Sequence, residues 1–134
     1  MFRWPGKIPP ADHEAPINSI DIVPTILAAV DVDRPAELPG VNLLPLIADG
    51  EPLDRGPLFG SIFDHDVPDL DDPAQGLQYR WCVDGRWKLI VPADDQSPEL
   101  YDLEADPHEM HNVAADHPQQ VKRLAQLIDD WWNP

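Results

Sequence analysis

Cys82 is the single thiol of the chain, His65 stands among Asp64, Asp66, Asp69, Asp71 and Asp72, and His108-Glu109-Met110-His111 sets two imidazoles three residues apart. Each group has a chemistry. A thiolate attacks electrophiles, carboxylates with an imidazole suit a divalent cation, and paired histidines bind zinc. Spacing decides against the last, because a zinc-protease helix needs its His at i and i+4 on one face. Surface histidines are expected there. Cys82 falls in a strand pattern with no His within several residues, so a structural cysteine packed on Trp87 is the better reading. The Asp residues around His65 read as a solvated, irregular acidic loop before they read as a metal site. No Gly-rich phosphate loop and no G-x-S-x-G elbow occurs, and carboxylates are too abundant to single out an acid/base pair. The residues alone show no complete catalytic constellation.

The elements that must position these groups follow from pattern. Phe2 and Trp4 alternate before the turn chemistry of Trp4-Pro5-Gly6 and Ile8-Pro9-Pro10, as at the end of a strand. Ser19 to Val30 reads as a helix with Asp21 as N-cap, which places Pro24 in the first turn, where its missing N–H costs little. Ile22, Ile26, Leu27 and Val30 would form its buried stripe. Val41 to Ile47 predicts a short helix ending near Asp49-Gly50. Leu58 to Phe63 is a strand candidate. Gln78 to Val83 and Arg86 to Val91, separated by Asp84-Gly85, predict a hairpin with a type I′ turn, in which Val83 faces Arg86 and Trp81 faces Lys88, while Cys82 faces Trp87. Glu99 to Leu103 offers an edge strand. Asp116, with Gln119 at capping-box distance, predicts a last helix with Val121, Leu124, Leu127, Ile128 and Trp131 at helical spacing.

Composition bounds the rest. With 134 residues, 43% of them hydrophobic and five Trp, the chain can build one modest core. A formal charge of -16 repels nucleic acid and anionic membrane surfaces, so neither is an expected partner. No apolar run approaches the ~20 residues of a membrane-spanning helix, and the first ten residues lack the long apolar stretch of a secretory signal. One Cys forms no internal disulfide and no thiolate zinc site. The seventeen Pro are scattered, which predicts short elements joined by stiff turns.

Segments in order resemble the C-terminal part of sulfatases, the arylsulfatase-type branch of the alkaline phosphatase superfamily. They are Trp4-Pro5-Gly6-Lys7-Ile8, Ser19 to Leu27 with its D-x-x-P-T core, Gly40-Val41-Asn42-Leu43-Leu44-Pro45-Leu46, and Gly85 to Ile90. Glu99 to Glu109 with Asn112-Val113-Ala114 completes them. Each alone is weak, but their order, their spacing and the terminal amphipathic helix cover nearly the whole chain. The resemblance implies a catalytic machinery that lies before this chain: a cysteine converted to formylglycine within C-x-P-S-R, ligands for calcium or magnesium, and Lys and His groups for the sulfate. Cys82-Val83-Asp84-Gly85-Arg86 has Cys and Arg at the right separation, but Asp84 replaces Pro and Gly85 replaces Ser, so Cys82 does not inherit the nucleophile's role.

The expected fold is α+β. A small antiparallel sheet of about four strands packs against a C-terminal amphipathic helix, and the short helices before it belong to the edge of a larger, missing α/β domain. Residues 1–50 would be the tail end of that large domain and 51–134 the C-terminal subdomain, which in the family borders the substrate cleft. The expected function is that of a C-terminal sulfatase fragment, a part of a sulfuric ester hydrolase that completes the enzyme and is inactive in isolation. No catalytic residue, metal ligand or cofactor is expected in this chain; calcium or magnesium and formylglycine would belong to a full-length relative. His65, a single imidazole among carboxylates, and Arg80, a guanidinium beside aromatic residues, are the candidates for substrate choice. Expected partners are the missing catalytic domain and a sulfated carbohydrate, and the family expectation for location is periplasmic or secreted. A stand-alone acidic binding module of the same fold and a fragment of a phosphonate or phosphodiester hydrolase are the alternatives.

Overall fold

A computed structural model describes residues 1–66, 69 and 71–132, and the chain divides into two compact units, Met1–Arg55 and Gly56–Pro134. Part of the expected acidic loop therefore lies outside the described residues. Among the described residues no helix is long and apolar enough to cross a membrane.

In the first unit a 3-10 turn, Ser19–Asp21, runs straight into α1, Ile22–Ala29; α2, Leu44–Asp49, follows. The apolar core is small: Leu43, Leu46 and Ile47 are buried, with Phe2, Ile8, Val41 and Leu53 packed against them. Pro45 enters α2 in its first turn, and Gly50 ends it in the left-handed conformation with φ +72°, as expected near Asp49-Gly50. The expected stripe of α1 is not covered within this unit; of its four residues Leu27 is half-buried. Ile22, Ile26 and Val30 are exposed by 44%, 53% and 61%, and the face turned inward carries Asp21, Pro24 and Thr25. The period of the pattern was helical, but hydrogen bonds decide which side this unit covers. Thr25 Oγ1 donates to the carbonyl of Asp21 at 2.6 Å and accepts from the Leu43 N–H at 3.0 Å, which pulls the polar side of α1 onto the chain leading to α2.

The second unit is a four-stranded antiparallel sheet in the order β1-β2-β3-β4 under one helix. The strands are β1, Leu58–Phe63; β2, Leu77–Asp84; β3, Trp87–Pro92; and β4, Glu99–Asp102. Phe59, Cys82, Leu89 and Leu100 stand across from one another on one face. α3, Pro118–Trp131, covers that face with Leu124 and Ile128, both fully buried. Each buries a side chain worth about 1.5–3 kcal/mol. This is the expected α+β arrangement of a four-stranded antiparallel sheet and C-terminal helix.

Two local expectations are corrected here. Trp87 pairs with Asp84, Lys88 with Val83, and Leu89 with Cys82, so the turn residues are Gly85 and Arg86, not Asp84 and Gly85. Only Gly85 takes positive φ (+58°), as in a type II′ turn, which needs it at the first central position alone and so accepts Arg86 at the second. Because the pairing moves by two residues, every side chain keeps its expected face and changes only its partner. The last helix begins at Pro118 after His117, not at Asp116. Proline at the first helical position has its φ already set and lacks only an N–H the helix leaves unbonded, while the Asp116 N–H is taken by the Val113 carbonyl at 3.1 Å.

Candidate functional site

Cys82 is fully buried within the core of Leu89, Leu100, Leu124 and Ile128. Burial, helped by the charge of Asp84, pushes its thiol up to about 11, so at neutral pH it is neither ionised nor reachable. Trp87 packs against the same cluster. The His108/His111 pair does not converge on a metal: His111 Nδ1 lies 3.5 Å from Asp106 Oδ2, an oxygen that also accepts the His111 N–H at 2.8 Å. No group of three or more His, Cys, Asp or Glu among the described residues is arranged to hold a metal ion. Among the described residues no donor set fits the calcium or magnesium ion that the resemblance implies, and Cys82 lacks the C-x-P-S-R setting of a formylglycine.

The basic side chains of the second unit hold its elements together. Arg123 of α3 reaches Asp84 of β2 at 2.5 Å, and Arg80 of β2 reaches Asp129 of α3 at 2.9 Å, so the helix is pinned to the sheet at its middle and near its C-terminal end. Arg80 Nη1 also donates to the Trp132 carbonyl at 2.8 Å. There Trp131 stacks on Phe59 with centroids 5.2 Å apart, and Trp132 leans on Phe63 at 5.9 Å. Arg86 forks onto the Asp102 carboxylate with Nε at 2.7 Å and Nη2 closing the pair, and Lys88 reaches Glu109 at 2.5 Å.

The polar turn after β4 works by the same logic. Asn112 Oδ1 accepts the N–H groups of Leu100 at 3.1 Å and Ala114 at 2.9 Å, and the Val113 N–H donates to the Leu100 carbonyl at 2.9 Å. The outer edge of β4 is thereby closed against a further strand.

Of the two candidates for substrate choice, His65 is exposed in the loop that leaves β1, and Arg80 is held against α3 with its side chain 15% exposed. The structure does not bring them to a common ligand position through any bond between them. The loop itself is anchored at its start. The Asp64 N–H donates to the Gly76 carbonyl at 2.7 Å, and Gln78 Nε2 donates to Asp64 Oδ1.

Sequence reasoning missed the most constrained polar group. Asp21 is fully buried; its Oδ2 accepts the Asn18 N–H at 2.8 Å and Arg55 Nη1 at 2.6 Å, and its Oδ1 accepts the Val41 N–H at 2.9 Å. Burial opposes its charge, but these donors outweigh burial and hold the carboxyl below the usual carboxylate range. The D-x-x-P-T and G-V-N-L segments are therefore two halves of one knot. Gly40 is required within it: φ is +94°, and a Cβ there would stand 2.3 Å from the Ile20 carbonyl oxygen.

Residues 1–131 match the family described as N-sulphoglucosamine sulphohydrolase, C-terminal. The N-acetylgalactosamine-6-O-sulfatase of Bacteroides thetaiotaomicron is 30% identical over 145 residues, which covers 96% of this chain and 26% of that protein. A phosphonate monoester hydrolase structure from Silicibacter pomeroyi aligns with TM-score 0.72 and 31% identity over 93% of this chain and 26% of its own. A structure described for glycosaminoglycan metabolism by Bacteroides thetaiotaomicron aligns with TM-score 0.69 and 28% identity, covering 96% of this chain and 27% of its own. The chain spans about a quarter of the length of the relatives it matches.

Proposed function

The chain belongs to the family of sulfatase C-terminal domains, and from that premise we propose that it works as the non-catalytic C-terminal part of a sulfuric ester hydrolase, completing the enzyme's fold and bordering its substrate cleft. One observation carries the reading. α1 hides Asp21, Pro24 and Thr25 and leaves Ile22, Val23 and Ile26 exposed by 44%, 49% and 53%, with Ile20 and Val30 beside them at 43% and 61%. Contiguous apolar surface of this kind marks an interaction face. A chain of charge -16 is poorly suited to cover it with a second copy of itself. The occupant we assign is the large α/β part of the enzyme.

Catalysis is assigned to that part as well, together with the metal ion and formylglycine of the family. His65 is assigned a hydrogen bond from its imidazole to a sugar hydroxyl or sulfate oxygen. Arg80, engaged by Asp129 and the Trp132 carbonyl, is assigned to substrate choice through the sheet end it holds in place. The test joins this chain to a matching catalytic part and measures kcat/KM for a sulfated sugar, a minimal aryl sulfate and a phosphonate monoester. Turnover of the sulfate esters that requires both parts is expected, with His65→Ala weakening only the sugar, tenfold for about each 1.4 kcal/mol. Equal turnover without residues 1–134 would remove the reading. A preference for the phosphonate would move the chain to the related hydrolases.

A further inference from the structure

The apolar stripe of α1 runs on into the chain that follows it, where Val30 and Val32 are exposed by 61% and 52% and alternate with Asp31 and Asp33, both exposed. Two carboxylates therefore stand at the C-terminal end of a helix. That end already carries partial negative charge from carbonyls that no intrahelical N–H reaches, and cations are the groups it favours. α1 has none. Its last turn holds no basic residue, and the Ala29 and Val30 carbonyls accept no backbone N–H among the described residues.

No cation of the first unit is paired with either carboxylate. Arg34 is the nearest in sequence, and its guanidinium is turned to carbonyls, Nη1 donating to Gly40 at 2.9 Å and Nη2 to Leu38. Arg55 is engaged by Asp21, and neither Arg3 nor Lys7 forms an ion pair with Asp31 or Asp33. A surface that closes over the stripe takes these two carboxylates out of water together with Val30 and Val32. Left unpaired there, they would oppose docking; met by a cation, they fix the register of the two surfaces.

We propose that the surface covering α1 is an apolar strip that ends in a lysine or arginine, and that this cation settles on the C-terminal end of α1 against Asp31 and Asp33. The inference rests on the assignment of the stripe to the large α/β part, the portion of its relatives that this chain does not span. A second copy of this chain, acidic throughout, is disfavoured at this place by its charge of -16.

Isotope-labelled chain is titrated with two synthetic amphipathic helices that share one leucine face and differ only in carrying two lysines or two glutamates at one end of it. Amide shifts centred on Ile22, Ile26 and Val30 are expected with the lysine peptide. Its affinity should exceed that of the glutamate peptide about tenfold at low salt, by a margin that shrinks as salt is added. An acidic chain attracts any cationic peptide, so place is tested separately. Asp31→Asn with Asp33→Asn should remove most of the margin, and asparagine accepts the left-handed backbone of residue 31, φ +55°. Asp66→Asn with Asp95→Asn, the same loss of charge from the second unit, should leave the margin largely intact. Ile26→Asp, at a position 53% exposed, should abolish binding of both peptides in a folded chain. Equal losses from the two double variants, no preference for lysine, no localised shifts, or binding that survives Ile26→Asp overturns the proposal. So does a dimer of the chain alone that Ile26→Asp dissolves, which would seat a second copy on the stripe. Lysine preference at Asp31 and Asp33 without turnover by the joined enzyme would leave this surface standing and remove the functional reading instead.

Discussion

Arg55 Nη1 meets Asp21 Oδ2 at 2.6 Å across a separation of 34 residues, and neither side chain is more than 11% exposed. The pair closes the first unit by joining its last residue to the start of α1. Arg55 Nε is buried without a hydrogen-bond partner among the described residues, and Nη1 also donates to the Pro16 carbonyl at 3.4 Å, so Asp21 supplies the guanidinium's shortest contact and its charge partner. Such a buried pair adds little when compared with apolar residues of equal volume, but removing one partner strands the other.

Asp21→Ala should therefore destabilise the first unit by about 3–5 kcal/mol, since the N–H groups of Asn18 and Val41 lose their acceptor together with Arg55. Urea unfolding followed at Trp4 measures it. Asp21→Asn, which keeps an acceptor oxygen, should lose less. The sign with pH follows from the lowered carboxyl. The contribution is full above the ordinary value of 3.8 and disappears as pH falls through the still lower folded value. A stability profile flat from pH 5 to pH 2 would contradict the assignment.

Gly40→Ala and Gly60→Ala test two close approaches. At Gly40 the new methyl would stand 2.3 Å from the Ile20 carbonyl oxygen in a backbone conformation with φ +94°. More than about 1 kcal/mol should be lost there. At Gly60, paired with Trp81 across β1 and β2, the methyl would stand 2.3 Å from the indole ring. Trp81 must swing away, and its fluorescence should shift to the red. An unchanged emission spectrum in a folded Gly60→Ala protein would rule out the ring-over-glycine packing.

Cys82 should resist labelling by an aromatic disulfide at pH 8 in the native protein and react promptly in urea, because burial both hides the thiol and pushes it up to about 11. The chain alone should hydrolyse neither aryl sulfates nor aryl phosphates above background. A metal-dependent rate that vanishes in Cys82→Ala would restore Cys82 and Arg86 as a true nucleophile motif.

Much of the second unit was legible because a strand's period of two fixes faces even when the register is misjudged. Cys82 and Trp87 share one face of the hairpin as the pattern predicts, although Leu89 and not Trp87 is the residue opposite Cys82. The first unit was less legible. Ile22, Ile26 and Val30 recur at helical spacing, but periodicity does not say whether a stripe meets this chain's own core or another surface. Asp21 reads locally as a helix cap, and the donors that make its burial tolerable come from Val41 and Arg55, far along the chain.

Arg80→Ala should loosen the end of α3 without unfolding the sheet. Arg80 Nη1 holds both the Asp129 carboxylate and the Trp132 carbonyl, at 2.9 and 2.8 Å. Asp129 is 47% exposed, so solvent screens the ion pair and its share of the stability is at most about 1 kcal/mol. The larger effect is local. The Trp132 N–H donates to the Ile128 carbonyl at 2.9 Å, and Trp131 lies flat on Phe59 with an interplanar angle of 9°. Losing Arg80 should speed amide exchange at Trp131 and Trp132 about tenfold while Leu124, in the middle of the helix and fully buried, keeps its protection. Arg80→Lys keeps the charge but replaces the planar guanidinium with a single ammonium, so it should rescue the protection only in part. If exchange accelerates equally at Leu124 and at Trp132, Arg80 supports the whole helix and not its end. Its assigned influence on substrate choice through the sheet end would then have to be abandoned.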